Sequence, residues 1–258
     1  MRRVGVVAWN TFREAVRDRV LYNLVFFALL MMAAAILVGQ ISIGIEEIVT
    51  GSLGLSAISV IGLLIAIFIG VGLVSKEMDK RTLYAVLAKP VHRWEFLLGK
   101  FGGLVLTLVV NTAAMTAGLY AALLYVRHPL VRGDAVLLIA VYFILLKLAL
   151  IVALALLFSC YTTPLLAILF TAGLYVSGLF VEEMRTFHSN TMSSALQTFL
   201  RWLSYVLPNF ENFDIMGSAV HGRAIPGTLI MQNTAYAVLY CAIVLAAAAA
   251  IFTRRNLK

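Results

Sequence analysis

Charge is scarce in this sequence: Asp, Glu, Lys and Arg make up 12% of its 258 residues. A soluble domain carries about a quarter, so the chain lacks the side chains that an ordinary water-facing surface requires. Carboxylates are the scarcer sign, 12 against 20 Lys and Arg. Cysteine is limited to Cys160 and Cys241, in or beside apolar runs and too far apart to suggest a disulfide framework. The four histidines, His92, His128, His188 and His221, are scattered without metal-ligand spacing, so no metal site is expected. A G-x-x-x-x-G-K-[ST] loop is missing: Gly99-Lys100 is followed by Phe101 and lacks the earlier glycine, so the chain has no phosphate cradle for ATP. No nucleophile stands with a base or a metal cluster in the apolar runs, which argues against an intramembrane enzyme. Basic residues are spaced between apolar runs instead of gathering on one face, which argues against a nucleic-acid partner.

What the sequence does have is apolar residues, 62% of the chain, at a mean hydropathy of +0.99. Bilayer is the solvent that suits this composition. A spanning helix needs about 20 mostly apolar residues, and six runs qualify: 21–38, 56–74, 102–126, 135–159, 164–181 and 235–252. The expected fold is therefore an all-α polytopic membrane protein, a single transmembrane domain over residues 1–258 with six spans. Runs four and five are separated by Cys160-Tyr161-Thr162-Thr163, and Pro164 is placed to start a helix. A tight turn there is the reading, with one long bent helix as the alternative.

The basic residues orient the spans. With the N-terminus inside, fourteen of the twenty Lys and Arg fall on the cytoplasmic side and five on the other (Arg127, Arg132, Arg185, Arg201, Arg223), with Lys147 left inside a span. That excess satisfies the positive-inside rule and places both termini in the cytoplasm. The start does not read as a cleavable signal peptide, because polar residues 10–18 precede any apolar core. Residues 1–20 place Trp9, Phe12, Val16 and Val20 at helical spacing with Arg13, Glu14, Arg17 and Asp18 on the other side, the pattern of a helix lying in the membrane interface against lipid headgroups. Residues 182–233 form an extracytoplasmic segment. Within it Ser193 or Ser194 can cap a helix carrying Ala195, Leu196, Phe199, Leu200, Leu203, Val206 and Leu207, which Pro208 stops. That helix is expected to pack on the bundle or dip into the outer leaflet.

The loop at 76–100 is a charged approach followed by a short amphipathic helix (Leu83, Val86, Leu87) that Thr82 can cap. Pro90 breaks it, and a second helix begins near Arg93 and runs into span three. A stiff element with an apolar tip projecting from the membrane suits docking of a soluble partner. Glu77, Asp79-Lys-Arg-Thr-Leu83, Leu87-Ala-Lys-Pro-Val-His-Arg93 and Gly99-Lys100 together resemble the signature of type-2 ATP-binding-cassette (ABC) exporter permeases. The subgroup that accompanies copper-enzyme maturation and gliding-motility systems looks nearest. The resemblance extends over the six spans, the N-terminal amphipathic helix and Leu207-Pro-Asn-Phe-Glu-Asn-Phe213 of the outer segment. Where many relatives have Gly before the Thr of the loop helix, this chain has Arg81.

The resemblance implies a permease of a bacterial or archaeal cytoplasmic membrane, paired with a second permease copy as a homodimer. It also implies two ABC ATPase subunits that bind ATP and Mg, this chain having no cofactor of its own. On that basis Glu77, Thr82, Leu83, Val86, Leu87, Pro90 and Arg93 are the candidate ATPase-docking and coupling residues. Transport is the leading function. The alternative is an ABC-type complex that uses ATP hydrolysis to act mechanically on an extracytoplasmic partner. A secondary transporter fits less well, since intramembrane carboxylates and matched broken helices are missing.

Among residues within the runs, Lys147 stands twelve residues from either end of its run. About 18 Å of helix on each side exceeds what its side chain can snorkel. An intramembrane charge is a functional-site candidate; a lysine tied into a wet crevice or subunit seam is the structural alternative. Asn111, Thr112 and Thr116 are candidates for lining a path through span three, with interhelical hydrogen bonding as the alternative. Gly62, Ala66 and Gly70 form a small-residue ladder that reads as a close helix contact. Met31-Met32 reads as packing and not as a copper site.

Overall fold

The computed structural model describes residues 2–42, 44–79, 93–126, 134–186 and 194–254. These residues are almost wholly helical, with no strand among them, as expected where lipid cannot satisfy backbone groups and each segment must do so internally. In chain order the helices are α1 (Arg2–Val16), α2 (Arg19–Ile41), α3 (Glu46–Asp79), α4 (Arg93–Val126), α5 (Ala135–Ser159), α6 (Pro164–Leu179), α7 (Val181–Thr186), α8 (Ser194–Val206), α9 (Met216–Val220) and α10 (Gly227–Arg254). A 3-10 turn, Glu211–Phe213, precedes α9.

Five of these helices hold segments long and apolar enough to cross a membrane: Leu21–Ile41, Glu46–Leu73, Trp94–Val126, Ala135–Ser159 and Gly227–Thr253. The sixth apolar helix, α6, has 16 residues, about 24 Å at 1.5 Å per residue against a hydrocarbon core of about 30 Å. Three helices outrun the apolar stretches that mark them. α3 begins at Glu46 and not near 56, because Glu46 and Glu47 occupy its first turn, where carboxylates favour the positive helix end. α4 begins at Arg93 and not at 102, and α10 at Gly227 and not at 235. Apolarity tracks the solvent, whereas the hydrogen-bonded helix continues through polar residues that satisfy themselves locally, as Thr234 does by donating to the Ile230 carbonyl at 2.7 Å.

α3 and α5 are the centre. In α3 72% of the apolar window is buried, against 22% in α2 and 28% in α10, which lie on the periphery. The Gly62, Ala66, Gly70 ladder turns to α5: a Cβ on Gly62 would meet Leu148 Cδ1 at 2.6 Å and one on Gly70 would meet Ala155 Cβ at 3.2 Å. α5 and α6 are separate helices, joined through extended Thr163 with Pro164 in the first turn. Between α2 and α3 the chain reverses at Gly44, whose φ of 86° a side chain would resist.

Both terminal helices sit at one end of the bundle. Phe252 near the end of α10 stacks on Phe96 of α4, centroids 6.3 Å apart, and α1 lies along the first turns of α4. The other end collects α7, α8, the 3-10 turn and α9. There Tyr142 and Thr234 hydroxyls meet at 2.8 Å, and Tyr120 donates to the Asp134 carbonyl at 2.6 Å. One boundary is corrected: the helix expected over 1–20 ends at Val16. Arg17 and Asp18 make a turn by donating to the Glu14 and Ala15 carbonyls, and residues 19 and 20 belong to α2.

Candidate functional site

Among the described residues two charged side chains are buried, Lys100 and Lys147. The first lies where α1 meets α4. Lys100, only 2% exposed, forms an ion pair with Glu14 of α1 at 3.6 Å, and its ammonium lies 5.8 Å from the centroid of Phe96. The approach that buries it is made by glycines of α4. A Cβ on Gly99 would meet Val7 Cβ at 2.6 Å, and one on Gly103 would meet the Ala8 carbonyl oxygen and Thr11 Cβ. Gly102 faces Ala8, with 3.6 Å between the Cβ positions. Thr11 and Ala15 are buried in this seam, while Trp9 stays exposed with its ring 5.5 Å from that of Phe12. α1 therefore has a docking face of Val7, Ala8, Thr11 and Ala15 distinct from its Trp9 face. The ion pair links α1 to the first turns of α4 across this seam.

This seam adjoins the loop that the sequence singles out. Glu77 lies in the last turns of α3 and Arg93 opens α4; their side chains, and Thr82, Leu83, Val86, Leu87 and Pro90 altogether, lie outside the described residues.

The second place is Lys147, in the middle of α5. It is 5% exposed and donates to Ser59 Oγ of α3 at 2.7 Å. Residues 207–213 of the outer segment fold down onto the bundle, the 3-10 turn against α5. Phe210 and Phe213 are fully buried. Phe210 lies 5.2 Å from the Tyr175 ring and donates its backbone N–H to the Gly178 carbonyl, whose missing side chain admits it. Asn209 donates its N–H to the Tyr236 hydroxyl at 2.9 Å.

Asn111, Thr112 and Thr116 are buried, and the Asn111 and Thr116 side chains look to their own helix. The Asn111 amide donates to the Thr107 carbonyl at 2.8 Å, and the Thr116 hydroxyl to the Thr112 carbonyl at 2.7 Å. Hydroxyls in an apolar helix take this route when no other acceptor is offered. The hydrogen bond of Lys147 thus runs to Ser59 of α3 instead of to these α4 residues. Ser59 and the burial of Lys100 were not picked out from the sequence. Ser59 sits among apolar neighbours like any helix serine, and Lys100 belongs to a run of cations that reads as solvated.

Comparison with known families gives one result at the level of the whole chain. A family model described as ABC-2 family transporter protein matches residues 6–257. No curated protein matches the chain.

Proposed function

The chain belongs to the ABC-2 transporter family, and from that premise we propose that it is the permease subunit that exports a substrate across a bacterial or archaeal cytoplasmic membrane. In this reading α6 serves as the sixth span, both termini are cytoplasmic, two copies pair, and a dimer of separate ABC ATPase subunits binds ATP and Mg beneath them. The loop at 76–100 receives the ATPase: Leu83, Val86 and Leu87 form an apolar ridge within the charged rim of Lys80, Arg81, Lys89 and Arg93, the composition of a specific docking surface. Glu77 and Arg93 anchor the two ends of the loop on α3 and α4, and Pro90 sets the angle at which it meets α4.

The observation that most supports this coupling role is the ion pair of exposed Glu14 with buried Lys100 on its glycine seam. It ties the start of α4 to α1, so force applied at the loop is passed to two elements at once, and through α4 to the bundle. Lys147 with Asn111, Thr112 and Thr116 is the proposed polar lining of the path.

The test is co-purification of the full chain with its cognate ATPase. Replacing Leu83 and Leu87 together by Asp is expected to leave the helical fold intact and abolish ATPase association. Co-purification at wild-type stoichiometry would overturn the docking assignment.

A further inference from the structure

We propose that residues 206–213 form a strap that fastens the outer segment to α10 and α6 together, so that the segment rides on these helices as one body and does not swing as a lid. Its persistence through a cycle of export rests on the permease reading; the fastening itself does not.

Pro208 follows α8 and cannot continue it, and the chain is not helical again until the 3-10 turn. Backbone groups released beside apolar helices need other partners. α10 supplies them from one face. The Tyr240 hydroxyl donates to the Val206 carbonyl at 2.8 Å, and the Tyr236 hydroxyl accepts from the Asn209 N–H at 2.9 Å. The Asn233 amide donates to the Asn212 carbonyl at 3.0 Å. Positions 233, 236 and 240 stand three and four apart, so they share one row on α10. Their partners 212, 209 and 206 follow at intervals of three, running the other way along the chain. The strap thus climbs α10 toward its outer end over about 10.5 Å.

Phe210 fastens the other side. Its N–H donates to the Gly178 carbonyl of α6 at 3.1 Å, and a Cβ on Gly178 would meet the Phe210 ring and the Pro208 carbonyl oxygen, each at 2.5 Å. The buried Phe210 ring lies 5.2 Å from Tyr175 of α6, whereas the buried Phe213 ring lies 6.1 Å from Tyr236 of α10. Both α6 and α10 pack on α5, and the Tyr142 and Thr234 hydroxyls also join α5 to α10. The strap therefore bridges α6 and α10 across α5. Asn209, 3% exposed, stands at the crossing, where its side-chain oxygen accepts from the Glu211 N–H at 3.0 Å and holds the turn. Consecutive amides, at 209 and 210, bind opposite helices. Detaching the strap from one helix would then disturb its bond to the other, the behaviour of a clamp and not of a lid with a free edge.

Hydrogen exchange of the full-length protein in lipid nanodiscs tests the fastening. The Asn209 and Phe210 amides should exchange far more slowly than free amides, and at matching rates. Tyr236→Phe removes the acceptor of the Asn209 N–H and keeps the ring beside Phe213. At the usual worth of a neutral hydrogen bond, both amides should then exchange about fivefold faster, and about twenty-fivefold faster in Tyr236→Phe/Tyr240→Phe. Exchange in α4 should not change. If the double variant does not fold, the single variant carries the comparison. Free exchange of both amides in the native chain, or acceleration of Asn209 with Phe210 unmoved, would overturn the proposal. In the complex with the ATPase, trapped with ADP and vanadate, both amides should stay as slow as without nucleotide. A rise to the rate of the double variant would make the stretch a gate and overturn the proposal. Failure of the ATPase to bind would count against the permease reading, while the nucleotide-free comparison still decides the strap.

Discussion

Lys147 is the residue whose surroundings most constrain the interior. A charge near the middle of a bilayer costs about 2.5–3.5 kcal/mol on insertion scales, and Lys147 donates a hydrogen bond to Ser59 Oγ. Ser59→Ala should therefore destabilise the protein by about 1–2 kcal/mol, above the average for neutral bonds in membranes because the donor is charged. In a Lys147→Met background the same change should be close to neutral, since the serine has already lost its partner and Met replaces the lysine stem without its charge. Denaturation of the purified protein over this double-mutant cycle measures the coupling; an unchanged cost of Ser59→Ala in both backgrounds would show that the bond carries no energy. Lys147 itself could be picked out from the sequence because its isolation within a run is a local fact. Its partner could not, since Ser59 stands 88 residues away and nothing local marks one serine among several.

At the scale of elements, the α1–α4 seam is the arrangement that hydropathy does not disclose. The amphipathic pattern of α1 points to its Trp9 face, whereas the face that packs is built from smaller residues whose fit depends on Gly99, Gly102 and Gly103 opposite. The seam can be read out chemically. With Cys160 and Cys241 replaced by alanine, the pair Ala8→Cys and Gly102→Cys has Cβ positions 3.6 Å apart, within the 3.5–4.5 Å that a disulfide needs. Mild oxidation should close it, seen as loss of reaction with a bulky maleimide. Adding Gly103→Val should reopen it, because the new side chain meets the Ala8 carbonyl oxygen and Thr11; overpacking of about 1–3 kcal/mol lowers the docked population about fivefold or more. Efficient closure in the triple variant would mean that the seam tolerates bulk and that α1 is held by other contacts. Element boundaries were legible wherever the signal is local. α5 runs over 135–159 as read, α6 starts at Pro164, and α8 starts at Ser194 and stops before Pro208.

For the whole molecule, the alternation of helices sends the α2–α3 turn, the start of α5 and helices α7, α8 and α9 to one end and both terminal helices to the other. Fourteen basic residues against five then predict that the terminal end is cytoplasmic. Reporter fusions at Glu47, Asp134 and Arg201 should score as external and those at Lys89 and Lys258 as internal. An internal score at Arg201 would invert the outer segment and with it the placement of α8.

The sequence by itself determined the solvent, the helical class and the positions of the apolar runs, because composition and turn chemistry are properties of the chain at each point. It also held the motifs that resemble the family to which the chain belongs. Only the tertiary structure decided which apolar faces meet protein and which stay open. Lipid tails are as apolar as the leucines that would otherwise cover them, so hydropathy is the same on both sides of a membrane helix. The distinction is drawn by shape, by glycines that admit a neighbour's backbone and by buried polar groups that find partners far along the chain.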